Sequence, residues 1–444
     1  MKKFFLFLLF VLTLGSNVFA VEVSSPRAIL IDVDTGRVLF QKNAYEAAYP
    51  ASTTKILTAI LVLENCELDE MVTASVTAVN SVYANGTTAS IQPGEELSVR
   101  DLLSTMLIHS ANDAAYVLAE HVGGTIDSFS SMLNAKAKEL GAKSTYFLNP
   151  NGLPNTKHKC SAYDMSLFAR YAMQNFPVFR EIVSTVNYTL PITEKYTELY
   201  MNQYPDATNV IRYLNTTTNH LINPNRTAYY YEYATGIKTG YTDAAANCIV
   251  ASAKKDGVEL IVVIFGASGW TNLRNDAVNL FEYGFGILKS EPLAISGTTI
   301  EKITIENGVK DANTLDVIVE DTLYATLHSQ EDASSYIPKI ALNSDISAPI
   351  TAGQAVGTIT YTVNNVEYTS NLIAGNSVEA KTPTIEVAKN TVKNVFFAIL
   401  KLIFWCFIAF VLFIFAIVLI LAYIMTKRQR RRSRQRYIYN NRFR

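Results

Sequence analysis

The stretch Tyr49-Pro50-Ala51-Ser52-Thr53-Thr54-Lys55 runs directly into Ile56-Leu57-Thr58-Ala59-Ile60-Leu61-Val62-Leu63. A loop closed by Pro50 gives way to an apolar run that reads as a buried helix, around which the other elements must pack. The spacing predicts Ser52 as the helix N-cap with its hydroxyl exposed. Lys55 follows one turn later on the same side. An ammonium against an apolar helix is poorly solvated, which lowers its pKa until it can take the proton of a serine hydroxyl. The helix N-terminus also favours the oxyanion formed when that serine attacks a carbonyl. Ser52 and Lys55 therefore read as nucleophile and base of an acylation site. The pattern alone is cheap, because Ser252 and Lys255 repeat it where a strand enters a turn.

Two more triplets raise its weight. Ser110-Ala111-Asn112 follows the apolar run Leu102-Leu103-Ser104-Thr105-Met106-Leu107-Ile108, and Lys238-Thr239-Gly240 leads into Tyr241-Thr242-Asp243. Ser-x-x-Lys, Ser-x-Asn and Lys-Thr-Gly in that order mark penicillin-binding proteins and serine β-lactamases. With the residues that flank each triplet, the chain resembles the serine-type D-alanyl-D-alanine carboxypeptidases, the low-molecular-weight penicillin-binding proteins. The resemblance runs over roughly residues 25–285 and more faintly to about residue 380.

The resemblance implies an α+β fold. A β-lactamase/transpeptidase-like domain, one antiparallel sheet flanked by helices, would carry Lys238-Thr239-Gly240 on a strand bordering the cleft. Ser110 would relay a proton to the leaving D-alanine nitrogen, and Asn112 would hold the substrate amide. Lys238 and Thr239 would receive the substrate's terminal carboxylate, and Gly240 would let the substrate backbone lie close to the strand. The backbone N–H groups of Ser52 and Tyr241 would form the oxyanion hole. The expected reaction removes the terminal D-alanine from peptidoglycan stem peptides through an acyl-enzyme on Ser52, in cell wall maturation and cell shape. β-Lactams would acylate the same serine, with no metal or organic cofactor required. A β-lactamase of the kind that deacylates through Glu-x-x-Leu-Asn would need a glutamate where Thr145 precedes Leu148-Asn149. A D,D-endopeptidase or transpeptidase, or a catalytically weak membrane-tethered peptidoglycan-binding protein, stays open.

Composition frames this reading. The chain has 444 residues and a formal net charge of −1, but the charge is segregated. Nine Lys and Arg follow Thr426 with no acidic residue, so the rest of the chain is acidic, which argues against nucleic acid as a partner. Lys2-Lys3, an apolar core and Val18-Phe19-Ala20 read as a signal peptide over residues 1–20. Cys66, Cys160 and Cys248 have no metal-like spacing and read as small packing residues, and the five histidines lack any ligand spacing.

Along the chain, Ala28-Ile29-Leu30-Ile31-Asp32-Val33 and Arg37-Val38-Leu39-Phe40 flank a turn at Asp34-Thr35-Gly36 and predict a hairpin. Ser98 predicts a helix start, residues 113–140 predict helices split at Gly123-Gly124, and residues 162–173 predict another. Residues 186–233 are poorly periodic and suggest hairpins. Two buried strands are expected on either side of Asp256-Gly257, then a helix over 275–283. These elements make up a catalytic domain over 21–290. Period-two segments over 296–382, with a turn at Asn364-Asn365, predict a small all-β domain. A linker over 383–401, polar as far as Asn394, leads to an unbroken apolar run over 402–425, about 36 Å as a helix and enough to span a bilayer. The basic tail over 426–444 predicts a cytoplasmic end, leaving the body extracytoplasmic and tethered to the membrane, with lipid as a partner.

Overall fold

The computed structural model describes residues 21–82, 86–212, 214–381 and 385–440, so the expected signal peptide lies outside the described residues. The hairpin forms from β1 (Arg27–Asp32) and β2 (Val38–Lys42). Three later strands, β3 (Ala234–Thr242), β4 (Ala246–Lys255) and β5 (Val258–Ala267), complete one antiparallel sheet in the order β2-β1-β5-β4-β3. Asp256 and Gly257 join β4 to β5 with φ of 49° and 83°, the mirror-image turn that matches strand twist.

Both faces of this sheet are buried, which explains why its strands read as continuous apolar runs. Ile29, Ile31, Val250, Ile261 and Val263 face one core, while Leu30, Ile249, Ala251, Leu260 and Val262 face the other. The first core holds α1 (Lys55–Asn65), α2 (Val99–Ile108), α3 (Asn112–Gly123), α4 (Ile126–Glu139) and α5 (Ala162–Asn175). The second is closed by α6 (Trp270–Ile287), longer at both ends than the expected helix. Every residue of α1 from Lys55 to Val62 is buried, as befits a helix apolar all round. Deleting one such side chain costs about 2–5 kcal/mol.

Helix starts follow local chemistry. Ser98 and Asp101 form a reciprocal capping box on α2, as the sequence predicts. Ser52 differs. Ala51–Thr54 is a turn of 3-10 helix and α1 begins at Lys55, with Thr54 at its N-cap and no side-chain cap bond. Ser52 therefore sits inside the first turn rather than capping it, and its hydroxyl is left for Lys55.

Residues 186–233 hold less β structure than expected. Among the described residues there, only Asn187–Tyr188 and Asn215–Thr216 pair, and Glu194–Gln203 is a helix capped by Thr193. That helix buries only Tyr196, so it has no apolar stripe to betray it. The segment is fastened by Arg212, whose guanidinium pairs with the buried Glu95 carboxylate and lies 4.2 Å over the Tyr196 ring.

Beyond α6, β6 (Leu288–Ala294) pairs with β9 (Leu323–His328). A second five-stranded sheet contains β7 (Thr299–Thr304), β8 (Thr314–Val319), β10 (Lys339–Leu342), β11 (Ala355–Val363) and β12 (Val366–Ala374), in the order β7-β8-β12-β11-β10. The period-two reading holds: Leu315, Val317 and Val319 of β8 are buried in alternation. Asn364 and Asn365 both take positive φ, 50° and 65°, as a tight hairpin turn requires. Finally α7 (Ile385–Asn440) is a single helix, and residues Lys389–Arg434 are long and apolar enough to cross a membrane. The segment expected as a linker thus joins the helix from Ile385 onward.

Candidate active site

Lys55 stands at the head of α1 with no exposed surface. Its Nζ lies 2.9 Å from Ser52 Oγ, 2.7 Å from Asn112 Oδ1, 3.3 Å from the Asn151 carbonyl oxygen and 3.4 Å from Ser110 Oγ. Burial, helped by the charge of Lys238, holds its pKa well below the usual lysine value, against an opposing pull from Asp113. The Asp113 carboxylate is itself buried and accepts backbone N–H bonds from Ala89, Ile91 and Ala114. Burial outweighs those bonds and raises its pKa.

Ser110 and Asn112 occupy the sharp junction between α2 and α3. Ser110 takes φ of 65°, a left-handed conformation costing a serine about 1–3 kcal/mol. The backbone N–H of Asn112 donates to Thr87 O at 2.8 Å. Across the cleft, β3 is the sheet's edge strand, so one row of its backbone groups has no partner strand. Lys238 and Thr239 sit on it, both buried. Lys238 Nζ donates to Thr239 O at 2.9 Å, and burial brings its pKa down to about 7. Thr239 Oγ1 donates to Thr218 Oγ1 at 2.6 Å, while the Thr218 N–H donates to Ile108 O at 3.1 Å. Thr218 thereby links the second and third motifs.

Gly240 has a reason the sequence did not supply. A Cβ there would come 2.8 Å from Ser52 N and 2.9 Å from Ala51 Cβ, so the missing side chain admits the serine turn itself against the strand. Tyr241 turns its exposed ring away, with its hydroxyl donating to Asp243 at 3.1 Å, which leaves only its backbone for the site.

Other participants escaped the sequence. A Cβ at Gly152 would lie 1.8 Å from Ala51 O, so this glycine allows the loop to close on the serine turn. Buried His158 accepts the Leu148 N–H on Nδ1 at 3.1 Å, leaving Nε2–H to donate to Thr54 Oγ1 at 3.0 Å. Thr54 in turn donates to Ala51 O at 2.9 Å. Burial lowers the His158 pKa to about 4, so this chain of bonds behind the serine is held by a neutral imidazole. The run Asn149-Pro150-Asn151-Gly152 announced a loop, but nothing in it announced contact with Lys55.

The competing pair behaves as structure. Ser252 is buried with Oγ 2.7 Å from Thr235 Oγ1, and Lys255 lies 4.7 Å over the Tyr233 ring. Thr145, where a deacylating glutamate would stand, donates to Asp164 at 2.8 Å.

Residues 15–269 match the family described as D-alanyl-D-alanine carboxypeptidase, and residues 289–380 match the C-terminal domain of penicillin-binding protein 5. The D-alanyl-D-alanine carboxypeptidase DacF of Bacillus subtilis is 32% identical over 334 residues, which span 75% of this chain and 80% of that protein. The crystal structure of the D-alanyl-D-alanine carboxypeptidase DacD from Francisella tularensis aligns with a TM-score of 0.54 at 27% identity, covering 81% of this chain and 95% of that one. The Streptomyces K15 DD-transpeptidase aligns at 28% identity and a TM-score of 0.53, covering 60% of this chain and 98% of its own. The family match covers more than half of the chain, and the relative from Bacillus subtilis is covered over most of its length, so the chain belongs to the D-alanyl-D-alanine carboxypeptidase family.

Proposed function

We propose that Ser52 is the nucleophile and Lys55 its base in a serine D-alanyl-D-alanine carboxypeptidase that trims peptidoglycan stem peptides ending in D-Ala-D-Ala. The observation that carries this reading is the set of groups around Lys55 Nζ. With Lys55 neutral, Asn112 Oδ1 and the Asn151 carbonyl, which can only accept, hold its two N–H bonds. The lone pair is then turned to the Ser52 hydroxyl at 2.9 Å. Ser52 Oγ attacks the carbonyl of the penultimate D-alanine as Lys55 takes its proton. The oxyanion is received by the N–H groups of Ser52 and Tyr241. Ser110 passes the proton to the leaving amine, which departs as D-alanine, and water then hydrolyses the ester.

Lys238 and Thr239 receive the terminal carboxylate, Asn112 takes the substrate amide, and the peptide adds to the free edge of β3. β-Lactams acylate Ser52 by the same route. A transpeptidase outcome differs only in the acceptor of the acyl group, and the likeness to the K15 enzyme keeps it in view.

The domain assignment accompanies this reading: a catalytic body over 21–290 after a signal peptide over 1–20, a β domain over 296–382, and α7 as a single span. The body is outside and the basic tail inside, where its charge meets anionic lipid. Penicillin labelling with peptide mapping tests the chemistry. Label on Ser52 that disappears in Ser52→Ala is expected, while label surviving in that variant overturns the assignment.

A further inference from the structure

Cys66, read from the sequence as a small packing residue, is half-buried. It ends α1, with its N–H donating to Val62 O at 3.0 Å. Glu70 closes the same short turn, and His121 lies in the last turn of α3. The donor atoms of Cys66, Glu70 and His121 all fall within 4.8 Å of one another, and His121 Nε2 is 2.8 Å from Glu70 Oε1. We propose that these three side chains form a divalent-cation site, with zinc the ion their donors favour.

Three independent features converge on it. The donor set is a thiolate, an imidazole and a carboxylate, the mixture that zinc accepts at about 2.0–2.3 Å. Tetrahedral ligation at those lengths sets donors roughly 3.3–3.8 Å apart, so the side chains need only small rotations. The site also lies where the C-terminal ends of α1 and α3 meet, and both helix dipoles present negative charge there. Finally, the connecting turn Cys66-Glu67-Leu68-Asp69-Glu70 carries three carboxylates and no cation. The thiol's proton is released as the metal–sulfur bond forms. Water fills the fourth position. The helices joined at this end carry Lys55 and Asn112 at their other ends. The ion therefore acts as a clamp that fixes the spacing of α1 and α3 from behind the cleft.

The test uses the full chain in detergent, stripped with a chelator and titrated with Zn2+ or Co2+. One equivalent should bind, Co2+ should give a thiolate-to-metal charge-transfer band, and the thermal midpoint should rise with Zn2+. Cys66→Ser should abolish the band, and both Cys66→Ser and His121→Ala should weaken Zn2+ binding by more than about tenfold. Without metal, the thermal midpoints of both variants should match that of the stripped parent, which guards against misfolding. No stoichiometric binding would overturn the proposal. So would a Co2+ spectrum without the sulfur band, or Zn2+ binding equally tight in Cys66→Ser.

Discussion

At the scale of single residues, two buried lysines divide the labour by the charge each must carry. As the proposed base, Lys55 has to be neutral to accept a proton, and burial with a neighbouring cation lowers its pKa toward that form. As the proposed carboxylate site, Lys238 has to be positive, yet burial lowers its pKa to about 7. Activity on a peptide ending in free D-Ala-D-Ala should therefore fall as pH rises through about 7, because Lys238 loses its proton. The same peptide as a C-terminal amide should show no such fall, and Lys238→Gln should abolish it for the acid. Losing a charge-assisted hydrogen bond of roughly 1.5–3 kcal/mol predicts a drop of about 10- to 150-fold on the acid, with little change on the amide. Steady-state kcat/KM against pH for both substrates checks this, and a parent enzyme that cleaves acid and amide equally well would contradict it. Ser52, Lys55, Ser110, Asn112, Lys238, Thr239 and Gly240 were legible because each belongs to a short run in fixed order. Asn151, Gly152, His158 and Thr218 were not. Asn151 acts through a backbone carbonyl and Gly152 through an absent side chain, and His158 and Thr218 reach the site only by folding.

At the scale of elements, what could be read was whatever buries a periodic face. The strands β4 and β5, the capped α2 and the buried α1 all announce themselves by apolar period or cap chemistry. The region 186–233 does not, because polar fastenings replace an apolar stripe there. Arg212 is nine-tenths buried and bonds Glu95, which also accepts from Thr193 at 3.0 Å, while Pro191 O receives Arg212 Nη1 at 2.9 Å. Removing one partner of a buried pair strands the other charge, at a cost of about 3–5 kcal/mol. Arg212→Ala should destabilise the catalytic body by about that amount in chemical denaturation. A paired Glu95→Leu, Arg212→Leu variant should recover much of the loss. A single variant as stable as the parent would mean that this pair does not hold the segment.

At the scale of the whole molecule, the helix α7 outruns any bilayer. Its 56 residues extend for about 84 Å, whereas a hydrocarbon core needs about 30 Å. On the proposed span, the polar residues 385–394 that precede the apolar ones stand off the membrane as a stem of roughly 15 Å. Removing residues from Ile385 onward should release a penicillin-binding protein that no longer sediments with membranes. A truncated protein that stays bound would show that α7 is not the anchor. A stem of fixed length also changes the dimensionality of the search for substrate. An enzyme free in solution meets its substrate at the bulk concentration, whereas one rooted in a membrane sweeps a thin shell whose local concentration is set by reach rather than by copy number. Turnover of peptides displayed on the same vesicle should then withstand dilution of the vesicles, while turnover of free peptides should fall in proportion. Cut from its stem, the enzyme would lose that distinction without losing any of its chemistry.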